Sequence, residues 1–349
     1  MSFFRAAVDA MTGYIPGEQP KPGTPIIKLN TNENPYPPSP QAIEVLRNLD
    51  SEWLRRYPDP FAKDFCCAVS EALGVPADWV IVGNGSDELL NVIIRASAEG
   101  SDRKVVYPMP TYVLYRTLAA MQPAEVVEID YPANFQLPID ELVKARGAIT
   151  FIASPNSPSG HLVPLADLRV LAQQLSGILV IDEAYTDFAE YSALPLVQEF
   201  ENVIILRTLS KGYSLAGLRM GFGIANPQLL AGLFKIKDSY NIDAIATAVG
   251  TAAMRDQAYK NACADKVKKS RAKLAVELKN LGFTVLDSQA NFVLATPPQG
   301  NAEQLYLALK ARGILVRYFK QVGLEDKLRI TVGTDEQNQT LIEALVSLV

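Results

Sequence analysis

Lys211 stands in Thr208-Leu209-Ser210-Lys211-Gly212, directly after the apolar run Val203–Leu206. A lysine at the C-terminal end of a buried strand sits where open α/β sheets carry their sites. Partial desolvation there favours the neutral amine, which is a nucleophile toward carbonyl groups. The competing role is an ordinary solvated loop lysine. Asp182 ends a second apolar run, Ile178-Leu179-Val180-Ile181, and is followed by Glu183-Ala184-Tyr185. A carboxylate at the edge of a buried strand calls for a cation, whether a metal, an arginine or a protonated ring nitrogen. Capping of a following helix is the alternative. A third run, Ile149–Ala153, leads into Ser154-Pro155-Asn156-Ser157-Pro158-Ser159-Gly160. That rigid turn either presents the Asn156 amide or is a plain loop.

Gly83-Asn84-Gly85-Ser86-Asp87-Glu88 is a glycine-rich turn into a helical pattern. Free N–H groups at a helix start suit a phosphate, although Ser86 and Asp87 are equally good helix caps. The GxxxxGK[ST] pattern is absent, and so is GxGxxG, so neither a P-loop nor a dinucleotide site is supported. Arg219 follows Lys211 in Ala216-Gly217-Leu218-Arg219, while Arg317 and Arg329 fall within apolar strand patterns. Buried arginines hold carboxylates, phosphates or internal ion-pair partners.

Composition narrows the chemistry further. The 349 residues contain one histidine, His161, and three cysteines, Cys66, Cys67 and Cys263. A metal site needing several imidazoles is excluded, and a disulfide framework is not expected from adjacent cysteines. Acid–base work is therefore expected of Lys, Asp, Glu or Tyr, and His161 reads as a loop or core imidazole at the rim of a site. A net charge of −5 argues against nucleic acid as the main partner. Met1 to Gly13 lacks the apolar core of a signal peptide, and no uncharged apolar run reaches the roughly 18 residues of a membrane span. With so few cysteines, these features point to the reducing cytoplasm.

The elements that must carry these residues alternate. Strand patterns at Val80–Val82, Lys104–Tyr107, Val126–Ile129, Ile149–Ala153, Ile178–Ile181, Val203–Leu206 and Met220–Ala225 are interleaved with helical patterns. Among the latter are Ser86–Ala98, Thr111–Met121, Ile139–Ala145 and Leu165–Leu175. Repeated βα units predict an α/β fold with a mostly parallel central sheet and helices on both faces. Residues 1–40, with their many prolines, read as an extended N-terminal arm lying on its own body or on a partner. Residues 41–240 form the large domain in this reading, and 241–349 a smaller α+β domain. From about Pro227 the pattern changes to two long helical stretches, Pro227–Tyr240 and Asp243–Leu281, with a break near Asp256.

Taken together, four ordered features carry a resemblance over nearly the whole chain. They are Asn32-Glu33-Asn34-Pro35, Pro155-Asn156-Ser157-Pro158, Asp182-Glu183-Ala184-Tyr185, and Ser210-Lys211 with Arg219 downstream. This set resembles the fold-type I, pyridoxal-phosphate-dependent aminotransferases of class II, and within them is most similar to the histidinol-phosphate group. The resemblance implies that Lys211 bonds the cofactor and, once freed by substrate, carries the proton between Cα and C4′. Asp182 would pair with the pyridinium nitrogen, and Asn156 and Tyr185 would bond the ring's 3-oxygen. Tyr112 would stack on the ring. Ser86, Asp87, Ser210 and Arg219 would hold the cofactor phosphate, joined by Tyr57 of a second subunit in a homodimer. Tyr14, Arg317 and Arg329 would bind the anionic groups of substrate.

The implied reaction exchanges an amino group between glutamate/2-oxoglutarate and a phosphorylated imidazole compound in histidine biosynthesis. An aromatic amino-acid aminotransferase and a phosphothreonine decarboxylase-like lyase share these residues and stand as alternatives. A regulatory protein on an inactive fold of this type is a third, and would fail to take up the cofactor. Several positions depart from the family pattern. Ser157 and Ser159 stand where Asn and Thr are common, Pro37 where Gly is common, and Gly212 where a larger residue is common.

Overall fold

The computed structural model describes residues 2–11, 13, 18–20, 23, 25–122 and 124–349. A seven-stranded sheet has the spatial order Val80–Asn84, Met220–Ala225, Val203–Thr208, Ile178–Asp182, Ile149–Ala153, Gly100–Met109, Ala124–Asp130. Met220–Ala225 is antiparallel to both its neighbours, and the remaining pairs are parallel. The strands read as continuous apolar runs because both faces are covered. Within each run the period of two still sorts side chains between two cores. Val80, Val82, Ile152, Leu179, Ile181, Val203 and Ile205 face one. Ile81, Phe151, Val180, Ile204 and Leu206 face the other.

Three helices between 40 and 73 escaped the sequence reading: Pro40–Arg47, Ser51–Arg55 and Lys63–Leu73. The first starts where Ser39 caps the Gln41 N–H and Pro40 takes the first helical position. The break expected near Asp256 is real: Asp256 ends Ala244–Arg255 and caps Gln257–Asn280 through the Tyr259 N–H. The first of these two helices packs with the large unit. Ile242, Ala246, Val249, Ala253 and Met254 all lie in a core shared with Phe65 and Val82. The apolar face of helix 244–255 has its partners in Lys63–Leu73 and Pro40–Arg47.

The smaller unit holds an antiparallel sheet in the order Arg317–Tyr318, Leu328–Thr331, Phe292–Thr296, Thr284–Val285. The arm is tied to it. Ile27–Lys28 pairs in parallel with Ile314–Leu315, and Leu29 is buried in the smaller unit's core. Nearer the N-terminus, the short helix Ala6–Ala10 buries no residue, where the sequence had suggested only extended chain.

Candidate active site

One cavity of about 540 Å³ collects the C-terminal ends of the parallel strands. Ser86 and Asp87 follow Val80–Asn84, Thr111 and Tyr112 follow Gly100–Met109, Ser157 and Pro158 follow Ile149–Ala153, Asp182 and Tyr185 lie at the end of Ile178–Asp182, and Ser210 and Lys211 follow Val203–Thr208. Because Met220–Ala225 runs the other way, its start lies at this same edge, which brings in Arg219. The smaller unit contributes Arg317, Phe319 and Arg329, and the arm contributes Asn30 to Glu33.

At one end, helix Gly85–Ser97 begins at the N-cap Asn84 with no side-chain capping bond. Its first-turn N–H groups lack intrahelical acceptors. Capping by Ser86 or Asp87 is thus not the arrangement present. Arg219 Nη1 lies 3.4 Å from Ser210 Oγ, and Nη2 lies 3.4 Å from Asp87 Oδ2. A helix start, a hydroxyl and a guanidinium together suit a dianion such as phosphate. Gly221 is required here: a Cβ on it would collide with the Ser86 backbone nitrogen and displace the helix start.

In the middle of the cavity, the Asp182 carboxylate is buried, accepting 2.8 Å from Tyr115 Oη on Oδ2 and 3.1 Å from the Ala184 N–H on Oδ1. Burial pushes this carboxyl up to about 6. The two hydrogen bonds oppose that shift, and the charges of Asp87 and Glu183 add to it. Such a group is complementary to a cation placed beside it. Among the described residues, no cluster of three or more His, Cys, Asp or Glu side chains could hold a metal ion. Tyr115 is a positioning residue the sequence reading missed. It sits with Leu118 and Ala119 on the buried face of helix Leu114–Ala120 and stacks on Phe151 at 4.8 Å. A tyrosine within an otherwise apolar helical face is the signal that would have found it.

Lys211 Nζ donates to the Thr31 carbonyl at 3.3 Å and lies 5.8 Å from the Tyr185 ring centroid. Tyr185 Oη accepts from Asn32 Nδ2 at 2.9 Å, so its own proton is free to donate. Asn32 is held in turn. Its carbonyl accepts from Asn291 Nδ2, its N–H donates to Thr331 Oγ1, and it occupies the left-handed region at φ 57°. The family motif contains Asn32, yet its role was not assigned from sequence. Gly212, the departure after Lys211, also has a reason: a Cβ there would collide with the Asp187 carboxylate. Asp187 is itself paired with Lys260 at 2.9 Å, tying the lysine loop to helix Gln257–Asn280.

At the other end, Arg317 and Arg329 are cross-strand partners. Both guanidiniums lie 5.4 Å from the Phe319 ring centroid. Like charges directly opposite on a sheet repel, and an anion between them offsets that cost. Arg329 is oriented by Ser157 Oγ and by the Asn30 carbonyl, each at 3.1 Å. The departure at Ser157 therefore touches the candidate substrate arginine directly.

Asn156 sits otherwise than expected. Asn156 is wholly buried, and its amide is fully used: Oδ1 accepts from Thr111, and Nδ2 donates to the Pro110 carbonyl and to Ser159 Oγ. It does not offer a donor to the cavity as the resemblance had implied, but reaches the cavity through Thr111. Tyr57 is 82% exposed and stacks on Tyr240 outside the cavity of its own chain. Tyr14 lies outside the described residues. Tyr112 lines the cavity, its hydroxyl 3.2 Å from Asp87 Oδ1.

Beside the cavity, Glu183 and Arg207 form a buried ion pair at 2.9 Å, with Ser192 and the Ala193 N–H completing it. Replacing Glu183 with Ala strands a buried guanidinium. The expected result is a loss of about 3–5 kcal/mol of folding stability, read as a lowered midpoint in calorimetry. An unaltered midpoint would show that this pair does not hold the Asp182 loop.

The family model described as aminotransferase class I and II matches residues 24–345. A Nostoc sp. protein named histidinol-phosphate aminotransferase 1 is 67% identical over 347 residues, covering 99% of this chain and 98% of its own. The histidinol-phosphate aminotransferase of Geobacter sulfurreducens is 43% identical over 350 residues, covering 98% of each. A crystal structure of the Sinorhizobium meliloti histidinol-phosphate aminotransferase, in complex with pyridoxal-5'-phosphate, superposes with a TM-score of 0.89. It is 25% identical and covers 100% of this chain and 99% of that one. On the strength of these matches, which run almost the full length of the sequence, the chain belongs to the aminotransferase class I and II family.

Proposed function

We propose that this chain is a pyridoxal-phosphate-dependent transaminase that exchanges an amino group between histidinol phosphate and 2-oxoglutarate, yielding imidazole-acetol phosphate and glutamate. The observation that carries the reading is a single cavity holding a lysine amine, a buried carboxylate, one anion cradle and a facing pair of arginines. The names borne by the relatives at 67% and 43% identity support the same substrate.

The residues fit the cofactor. Asp182, pushed up where only neutral donors bond it, suits a protonated ring nitrogen. The Ser86 and Asp87 N–H groups, Ser210 and Arg219 suit its phosphate, and Tyr185 suits an anionic ring oxygen. When bound, pyridoxal phosphate supplies an electron sink for the bond broken at the substrate's α-carbon. Lys211 Nζ would hold the cofactor carbonyl covalently. When released by the incoming amine, it would move the proton at the α-carbon. Asp182 would keep a proton on the ring nitrogen. The Tyr185 hydroxyl, oriented by Asn32, would donate to the ring oxygen. Arg329 and Arg317 would fix the anionic group of the substrate, orienting its α-carbon toward Lys211.

Tyr57 is proposed to complete the phosphate site of a second copy in a homodimer, since it is exposed and points outside its own cavity. The proposed compartment is the reducing cytoplasm, a reading supported by three unpaired cysteines. No described helix is long and apolar enough to cross a membrane.

A substrate panel on protein of known cofactor content tests the assignment. Imidazole-acetol phosphate is expected to be aminated with the highest kcat/KM. Faster turnover of phenylpyruvate would favour an aromatic transaminase, and carbon dioxide release from phosphothreonine would favour a lyase.

A further inference from the structure

We propose that His161, the only histidine, is a positioning residue: through Ser159 and Asn156 it holds the Thr111 hydroxyl on the cavity wall, where the cofactor binds. This rests on the function proposed above and goes beyond the residues that function uses.

A continuous chain of hydrogen bonds connects the two ends. Thr111 Oγ1 lies 2.8 Å from Asn156 Oδ1, Asn156 Nδ2 lies 2.8 Å from Ser159 Oγ, and Ser159 Oγ lies 2.7 Å from His161 Nδ1. Thr111, Asn156 and Ser159 are all buried, and low local dielectric strengthens hydrogen bonds among such groups.

The direction of the chain follows from its members. Asn156 Nδ2 also faces the Pro110 carbonyl at 3.0 Å. A carbonyl only accepts, which fixes the amide with its nitrogen on that side. Asn156 Oδ1 must then accept from Thr111, and Ser159 Oγ must accept from Asn156. The Ser159 proton has one remaining place to go, His161 Nδ1. That nitrogen accepts only in a neutral imidazole carrying its proton on Nε2.

The surroundings keep the ring neutral. Burial pushes His161 down to about 4. The rings of Tyr131 and Phe135 each lie 5.1 Å from the imidazole, and Nε2 is buried with no hydrogen-bond partner among the described residues. A charged imidazole would present a donor to Ser159 and leave the serine proton without an acceptor. Donors aligned in one direction also polarise one another. The serine at position 159 thus has a role as the link between histidine and amide. The backbone closes the same turn, with the Asn156 N–H donating to the His161 carbonyl at 2.8 Å.

The test compares the affinity of the cofactor-free protein for pyridoxal phosphate, by fluorescence titration, in wild type, His161→Leu, His161→Asn, Ser159→Ala and the Ser159→Ala/His161→Leu double variant. Unfolding midpoints are measured alongside. Loss of one link of about 1 kcal/mol predicts roughly five-fold weaker cofactor binding in His161→Leu and in Ser159→Ala. The double variant is expected to be no weaker than either single one, because both cut the same chain. Asparagine places an acceptor oxygen at the δ position, so His161→Asn is expected to regain most of the affinity. A lowered midpoint in His161→Leu with wild-type affinity would reduce His161 to a packing residue and overturn the proposal. Should His161→Leu fail to fold, unchanged affinity in Ser159→Ala overturns it equally. Wild-type protein that binds no cofactor would instead overturn the transaminase reading itself, and this proposal with it.

Discussion

A Lys211→Ala variant is expected to lose transamination by about 10⁴-fold or more. General acid–base catalysis alone contributes about 10²–10⁴-fold, and the substitution also removes the covalent link. Among the described residues no other lysine lines the cavity. Lys211 Nζ is the lysine nitrogen lining the cavity, placed between the Thr31 carbonyl and the Tyr185 ring. The companion experiment is reduction of the loaded wild-type protein with borohydride followed by peptide mapping. The label is expected on the peptide containing Lys211. A label on Lys235 or Lys237 would overturn the assigned mechanism, as would a variant retaining a tenth of wild-type kcat.

Asp182→Asn is expected to be the next most damaging change. The substitution keeps the shape and removes the charge that would hold a proton on the cofactor ring. Removing one preorganised electrostatic group typically costs about 10²–10³-fold in kcat. The same substitution makes a second, activity-independent prediction. The carboxyl is pushed from an ordinary 3.8 up to about 6, chiefly by burial. A folded-state pKa above the unfolded value means that the folded chain binds the extra proton more readily. The stability linked to that proton is fully present below about 3.8 and is lost as pH rises through about 6. Cofactor-free wild type is therefore expected to lose thermal stability across that window relative to Asp182→Asn. Loading with pyridoxal phosphate is expected to abolish the difference, because a cation beside the carboxyl favours its ionised form. Midpoints against pH, with and without cofactor, provide the measurement. Parallel curves for the two cofactor-free proteins would show that the buried carboxyl is not strained as described.

Much of the site was legible in the sequence for a local reason. In a parallel sheet the polar residue that ends an apolar run lies at the edge where ligands bind. Lys211, Asp182, Ser86 and Ser210 each announced themselves that way, whereas Arg219 was marked only by its place after Lys211 and reaches this edge through the one strand that reverses. The large sheet was legible for the same cause, since continuous apolar runs bounded by turns leave few alternatives. The helices between 40 and 73 were less visible. Helix Lys63–Leu73 begins after Ala62 in a left-handed conformation with no side-chain cap, so its usual start signal is missing.

The amino-acid sequence by itself determined the α/β class, the strand ends that carry chemistry and the types of group found there. Only the tertiary structure decided which of those groups face one another. Tyr115 meets Asp182, Asn32 meets Tyr185, Ser157 meets Arg329, and the Asn156 amide turns away from the cavity into a buried chain. These pairings join residues 67, 153 and 172 positions apart. A strand pattern fixes its own period and its own end. The distance and angle between two such ends are fixed by how sheets, helices and the arm pack, and no local signal carries that.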